Sequence, residues 1–184
     1  MLVLILGVIL WIAAHYFKRF MPDQRVALGK PGKGIVAVAI VVALLLMITG
    51  YRMAAFVPVW TPPALFTGFN NGLMLLALWV YGSSAAKGAK AWPAYKVRHP
   101  QLLAVKIWAL AHLLVNGDLA SIILFGGLMA WAIGSVILIN KAEPEWTAPA
   151  PAGRKTYIRL AVITLVMFVI ITAIHTMLGV NPFT

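Results

Sequence analysis

The chain of 184 residues contains no cysteine, which excludes disulfide bonds, thiolate metal sites, iron–sulfur ligation and the covalent attachment of c-type haem. Charged residues are also scarce, because Asp, Glu, Lys and Arg make up 10% of the chain, against about 25% in a soluble domain. Acidic residues are the rarest, with four against fifteen Lys and Arg. Too little charge is present to cover a water-exposed surface, so water is not the main solvent of this chain.

Apolar residues fill the sequence instead. They make up 62% of it, well above the roughly 45–50% of a soluble domain, and a chain of this size cannot bury so much apolar surface in a core of its own. We therefore predict an all-α fold: residues 1–184 form a single domain, a polytopic membrane helix bundle whose main partner is the lipid bilayer. The apolar runs predict about six transmembrane helices, at residues 2–17, 35–52, 64–81, 100–116, 119–139 and 157–179.

The positions of the basic residues predict how this bundle is oriented in the membrane. Fourteen of the fifteen Lys and Arg fall after the first span, between the third span and the body of the fourth, and before or at the start of the sixth. The exception is Arg52, at the end of the second span. Because basic loops stay in the cytoplasm, both termini are predicted to be outside, on the periplasmic side of an inner membrane. The net charge of +11 thus reflects membrane topology, and no nucleic-acid partner is predicted.

Four histidines, His15, His99, His112 and His175, lie in or at the end of a predicted span. An ionisable group there is costly. A single such imidazole is most simply explained by a hydrogen bond to a neighbouring helix, but four together favour a helical bundle that holds haem between imidazoles. Without cysteine the group would be non-covalent haem b. Depth alone pairs His15 with His99 and His112 with His175, whereas a membrane boundary near Lys106 allows His15 to pair with His112.

The fourth predicted helix carries Trp108, His112 and Asn116 at intervals of four residues, so the three share one face. Trp108 either walls a cofactor pocket or packs as an interface anchor. Asn116, Gly117 and Asp118 have a structural explanation: Asn as a helix C-cap, Gly with positive φ, and Asp as an N-cap. The alternative is functional, because Asp118 is the one acid near the outer face and such an acid can relay protons or orient a histidine.

The fifth predicted helix carries small residues at intervals of four: Gly126, Ala130 and Gly134. This spacing lets two helix backbones approach closely. We therefore expect this face to pack against a neighbouring helix, with a structural role.

These motifs, taken in order, resemble the signature of the NnrU family. The matching segments are residues 98–103 (RHPQLL), 106–114 (KIWALAHLL), 116–121 (NGDLAS) and 124–126 (LFG). The rest of the chain agrees: His15 closes the first helix, residues 50–52 (GYR) follow the second, and His175 precedes residues 178–180 (LGV). The resemblance therefore covers nearly the whole chain.

The resemblance implies a bacterial inner-membrane protein that is accessory to nitrite and nitric oxide reduction in denitrification. The same superfamily includes the plant 15-cis-zeta-carotene isomerase, a b-haem membrane enzyme, and its haem ligands carried over by resemblance fall on His15 and His112. His99 and His175 also belong to the NnrU pattern without a role carried over from the family; in the haem hypothesis, one of them is a substitute ligand or supports a ligand. Isomerase-type sequences lack the acid at Asp118 and carry a further histidine near Trp131, so this chain resembles the NnrU branch more closely.

Three functions remain open from the sequence. The first is a b-haem protein that assists nitrogen-oxide metabolism or a related respiratory redox complex. The second is a haem-dependent polyene cis-trans isomerase, which makes enzyme status uncertain. The third is a cofactor-free small subunit of a larger respiratory or photosynthetic membrane complex.

Overall fold

The computed structural model describes residues 1–183, and this part of the chain holds seven helices and no β-strand. The helices are α1 (Leu2–Phe20), α2 (Pro22–Ala27), α3 (Pro31–Arg52), α4 (Phe66–Ser83), α5 (Pro100–Val115), α6 (Leu119–Ala142) and α7 (Arg154–Met177). Proline stands at the first position of α2, α3 and α5, where its missing N–H costs nothing. The all-helical fold predicted from the apolar runs is confirmed.

Four helices, α1, α3, α6 and α7, are long and apolar enough to cross a membrane. The protein is therefore a multi-span membrane protein. Helices also form at the other two predicted positions, but α5 has 16 residues, or about 24 Å, and α4 carries Asn70 and Asn71. Neither helix combines the length and the hydropathy of a membrane span. The count of six transmembrane helices and the orientation of the termini therefore stay predictions. The short helix α2 was not predicted.

The described chain divides into two compact units. The first unit comprises Met1–Thr61 and Asn116–Trp131, and the second comprises Pro62–Val115 and the chain from Ala132 onward. One boundary falls inside α6, after Trp131. The single-domain organisation stays a prediction.

In the first unit, α1 and α3 form a closely packed antiparallel hairpin. A Cβ atom at Gly7 would lie 2.7 Å from the backbone nitrogen of Met47, and one at Gly50 would overlap the backbone of Leu4. Glycine is needed at both positions because any side chain would push the two helix backbones apart. The pairs 7 with 47 and 4 with 50 fix the register of the hairpin.

Helix α6 begins irregularly, with a π-helical stretch at Ile122–Gly126. A Cβ atom at Gly127 would lie 2.7 Å from Cγ1 of Val8 on α1, whereas one at Gly126 would have no described atom within 4 Å. The small residue that packs against α1 is therefore Gly127, and its expected place at Gly126 was wrong. Small residues at intervals of four allow close packing but do not determine which face of the helix meets a neighbour.

In the second unit, α4 packs against both α5 and α7. A Cβ atom at Gly82 would lie 2.7 Å from Cδ1 of Leu160, and Asn71 Nδ2 donates to the carbonyl of Pro182 at 3.0 Å. The Ala/Pro-rich segment before α7 is anchored: Lys90 N–H donates to Ala150 O, and Ala152 N–H donates to Lys90 O, both at 2.8 Å. This unit is thus held by helix packing in its interior and by hydrogen bonds in its connecting segments.

Substituting Gly50→Ala should destabilise the first unit. The added methyl overlaps the backbone of Leu4, and overpacking of this kind costs about 1–3 kcal/mol. The matched control is Gly34→Ala on the same helix, where a Cβ meets nothing within 4 Å and alanine is the better helix former. Thermal unfolding in detergent, followed by circular dichroism, should show a lowered midpoint for Gly50→Ala alone. Equal midpoints for the two variants would contradict the close approach.

Candidate functional site

His15 lies near the end of α1 in an aromatic cluster of the first unit. Its Nδ1 is 2.8 Å from the carbonyl oxygen of Trp11, one turn earlier on the same helix. Its ring centroid lies 4.4 Å from that of Trp11 and 4.7 Å from that of Trp131. Tyr16 holds the second tryptophan by donating to the carbonyl of Trp131 at 2.8 Å. The imidazole is therefore oriented from two sides.

The partner of Nδ1 defines the tautomer of this ring. A carbonyl oxygen can only accept a hydrogen bond, so Nδ1 of His15 carries the hydrogen and donates it. In the neutral imidazole, Nε2 then carries the lone pair, which is the form that ligates a metal. The indole Nε1 of Trp11 is buried and has no hydrogen-bond partner among the described residues. A buried N–H of this kind fits an additional acceptor group beside His15.

His112 and His175 repeat this arrangement in the second unit. Nδ1 of His112 is 2.9 Å from the carbonyl of Trp108, and Nδ1 of His175 is 2.8 Å from the carbonyl of Ile171. Both rings are half-buried. The Trp108 ring lies 5.1 Å from the His112 ring, so these two side chains share one face of α5, as predicted.

His99 differs from the other three histidines, because its contact is made by Nε2 with another element. Nε2 lies 2.9 Å from Oδ1 of Asn140 near the end of α6. The neighbouring Arg98 donates to the carbonyl of Glu143 and, at 3.5 Å, to that of Pro144. The Arg-His pair therefore clamps the start of α5 to the final turn of α6. The role of His99 as a substitute ligand stays a prediction.

Asp118 is a buried N-cap of α6, as its structural explanation predicted. Its Oδ1 accepts from the backbone N–H of Ser121 at 3.0 Å, and its Oδ2 accepts from the Ser121 hydroxyl at 2.5 Å. The hydroxyls of Ser121 and Tyr51 are 2.9 Å apart. Because the single hydroxyl hydrogen of Ser121 is directed at Asp118, Tyr51 must donate to Ser121. A hydrogen-bonded chain thus runs from Tyr51 through Ser121 to Asp118.

The backbone at Asp118 is extended, and the expected positive φ at Gly117 was wrong. The carbonyl of Gly117 accepts from the N–H groups of Val59 and Trp60, at 2.8 and 3.0 Å, and Leu119 N–H donates to Val57 at 2.9 Å. Asp118 itself has φ −99° and ψ 159°. The described residues with positive φ are Gly29, Gly88 and Gly179. Backbone pairing with the segment after α3 therefore replaces the tight turn. Asn116 follows the end of α5 and is half-buried in the first unit.

The sequence did not reveal several partners of these residues. Trp11 stands four positions before His15, a spacing that places both on one helix face, but Trp131 is distant in the chain and no local pattern joins it to His15. Tyr51 was noted within residues 50–52, without its hydroxyl contact. Within the described chain no group of three or more His, Cys, Asp or Glu is placed to hold a metal ion.

The fold and these side chains define a polytopic helical membrane protein that carries histidines in its membrane helices. Among protein-family models, that of the NnrU family, described as "NnrU protein", matches residues 3–182 of this chain. The chain therefore belongs to the NnrU family. No curated protein and no solved structure matches it.

Removing the Ser121 hydroxyl should weaken the Tyr51–Ser121–Asp118 chain from both sides. Ser121→Ala leaves Oδ2 of Asp118 and the Tyr51 hydroxyl without this partner, and the expected loss is about 1–3 kcal/mol of unfolding free energy. Tyr51→Phe should cost less alone and little more when added to Ser121→Ala. Exposed Thr49, which bonds back to Leu45 of its own helix, gives the control Thr49→Ala. Additive losses in the double variant would argue against a connected chain.

Replacing Arg98 with methionine should loosen the end of α6. The substitution keeps an apolar stem but removes the guanidinium donors to Glu143 and Pro144. A loss of about 1 kcal/mol corresponds to roughly fivefold faster amide exchange for residues 140–143, the end of α6 and the first residue after it, measured by mass spectrometry. Lys87→Met, at an exposed basic position, is the control. Unchanged exchange in Arg98→Met would show that the clamp does not order this segment.

Proposed function

We propose that this protein is a b-haem-binding protein of the bacterial inner membrane, accessory to nitrite and nitric oxide metabolism in denitrification. Membership of the NnrU family supports the membrane and pathway parts of the proposal. The observation that carries the haem part is the common state of His15, His112 and His175. In each, Nδ1–H donates to the carbonyl four residues earlier on its own helix.

This hydrogen bond prepares an imidazole for iron in two ways. It leaves the lone pair on Nε2, and it holds the ring plane against rotation. Donation by the second nitrogen to a backbone carbonyl also raises the basicity of the ligating one, as in many metal sites. The donor set therefore fits haem iron, and the absence of cysteine makes non-covalent haem b the matching form.

His112 is the first ligand we assign. For the second, the family resemblance favours His15, and the second unit itself provides His175. Trp108 packs on the ring of His112, and Trp11 and Trp131 pack on the ring of His15. These aromatic side chains would exclude water and orient each imidazole. A haem held by two histidines would supply one-electron transfer.

The basic residues support the proposed location. With fourteen of fifteen in three loops, the positive-inside rule places those loops in the cytoplasm and both termini in the periplasm. This orientation puts the N-terminal end of α1 and the C-terminal end of α7 on the periplasmic side.

The test is the visible spectrum of the detergent-purified protein, before and after reconstitution with haem. Wild type should show a Soret band and the spectrum of bis-histidine ligation, and His112→Ala should lose most of it. Loss in His15→Ala with retention in His175→Ala assigns His15 as the second ligand, and the opposite result assigns His175. His99→Ala is the matched control and should keep its haem. A wild-type protein that takes up no haem would refute this part of the proposal.

The pathway part needs its own measurement. Deletion of the gene in a denitrifying host should slow the consumption of nitrite or nitric oxide under anoxic growth, and the wild-type gene should restore the rate. Complementation with the His112→Ala gene should fail if haem binding serves this role. Normal consumption in the deletion strain would contradict the proposed pathway.

A further inference from the structure

The chain that joins α1 to α3 is unusually basic for so short a segment. Residues 18–33, called here the cationic connector, contain one acid, Asp23. Their five basic residues are Lys18, Arg19, Arg25, Lys30 and Lys33. The connector thus has a net charge of +4, and the side chains of Lys18, Lys30 and Lys33 are exposed. A concentration of positive charge on this scale attracts anions over a Debye length.

Large apolar side chains are exposed on the same connector. Phe20 is 66% exposed, Met21 51% and Val26 77%, although they stand between charged residues. Exposed basic and exposed apolar side chains on one segment are typical of segments that lie in the membrane interface.

The register of the helical hairpin places the connector at the ends of two helices. Gly50 meets Leu4 and Gly7 meets Met47, so the antiparallel pairing brings Phe20 level with about Gly34. Helices α1 and α3 both qualify as membrane spans, and the connector consists of the last residues of α1, the short helix α2 and the first residues of α3. It therefore lies where a membrane span meets the lipid headgroups.

The shape of the connector is set by local interactions. Pro22 opens α2, Gly29 turns the chain with φ +56°, and Pro31 opens α3. The Arg25 guanidinium lies against Gly32, where a Cβ would be 2.6 Å from Nη1. An ordered backbone loses less conformational entropy when a partner binds, so the basic side chains are preorganised for binding.

We propose that the cationic connector binds the phosphate groups of anionic phospholipids, with Lys30 and Lys33 as the principal cations. Lipid phosphates supply the negative charge that the connector lacks. The acyl and glycerol region beside them takes up Phe20, Met21 and Val26, which neither a nucleic acid nor an acidic soluble protein would need to cover. The surface differs from the histidine sites and does not depend on haem.

Native mass spectrometry of the detergent-purified protein tests this proposal, with phosphatidylglycerol and phosphatidylcholine of identical acyl chains as probes. Wild type should retain phosphatidylglycerol in preference to phosphatidylcholine. The double variant Lys30→Gln with Lys33→Gln should reduce this preference by about fivefold or more, because each basic residue near a lipid surface contributes substantially to anionic binding.

The matched control removes two exposed charges elsewhere, by Lys87→Gln with Lys155→Gln. It changes the net charge equally, so it should leave the preference within about twofold of wild type. Unchanged preference in the connector variant overturns the proposal, and so does an equal loss in both double variants. Competition by 10-fold excess inorganic phosphate that removes the lipid would also overturn it, because the site would then select a free anion. Circular dichroism of both variants verifies that each remains folded.

Discussion

A polar side chain inside a membrane helix must find its hydrogen-bond partner within the protein, because the hydrocarbon interior supplies none. His15 and His175, on the membrane helices α1 and α7, meet this constraint by donating from Nδ1 to a carbonyl on their own helix, and His112 on α5 does the same. The arrangement needs no distant residue, so the tautomer of each ring is set as soon as its helix forms. Tertiary packing then has a smaller role, and tryptophan rings lie against the imidazoles of His15 and His112.

The other polar side chains act mainly where helices begin and end. Asp118 caps the start of α6, Arg98 donates to the carbonyls at its end, and Lys90 Nζ donates to the carbonyls of Ser84 and Ala86 after α4. The free backbone groups at helix termini explain this distribution, since each is costly to leave unpaired. Helix interiors pack through small residues, and helix ends are joined by hydrogen bonds.

Sequence reasoning predicted the helices well because their cause is local. Long apolar runs and flanking basic residues are properties of neighbouring residues, and the six predicted segments coincide with α1, α3, α4, α5, α6 and α7 within a few positions. The helix cap at Asp118 could also be predicted from the sequence, because an N-cap hydrogen bond joins residues only three positions apart. The RHP motif at residues 98–100 was recognised, but its attachment to Asn140 and Glu143 was not. That contact joins residues more than forty positions apart, and periodicity carries no information about it.

The π-helical stretch at Ile122–Gly126 has an evolutionary consequence. A π turn is an α-helix that has accommodated one extra residue, and one residue rotates all later positions by about 100°. Ser121 precedes this stretch and reaches Tyr51, whereas Trp131 follows it and packs on His15. The inserted residue therefore sets the angle about the helix axis between the side chains of Ser121 and Trp131. In an alignment of relatives that keep both contacts but build a regular helix, the single-residue gap belongs within residues 122–126.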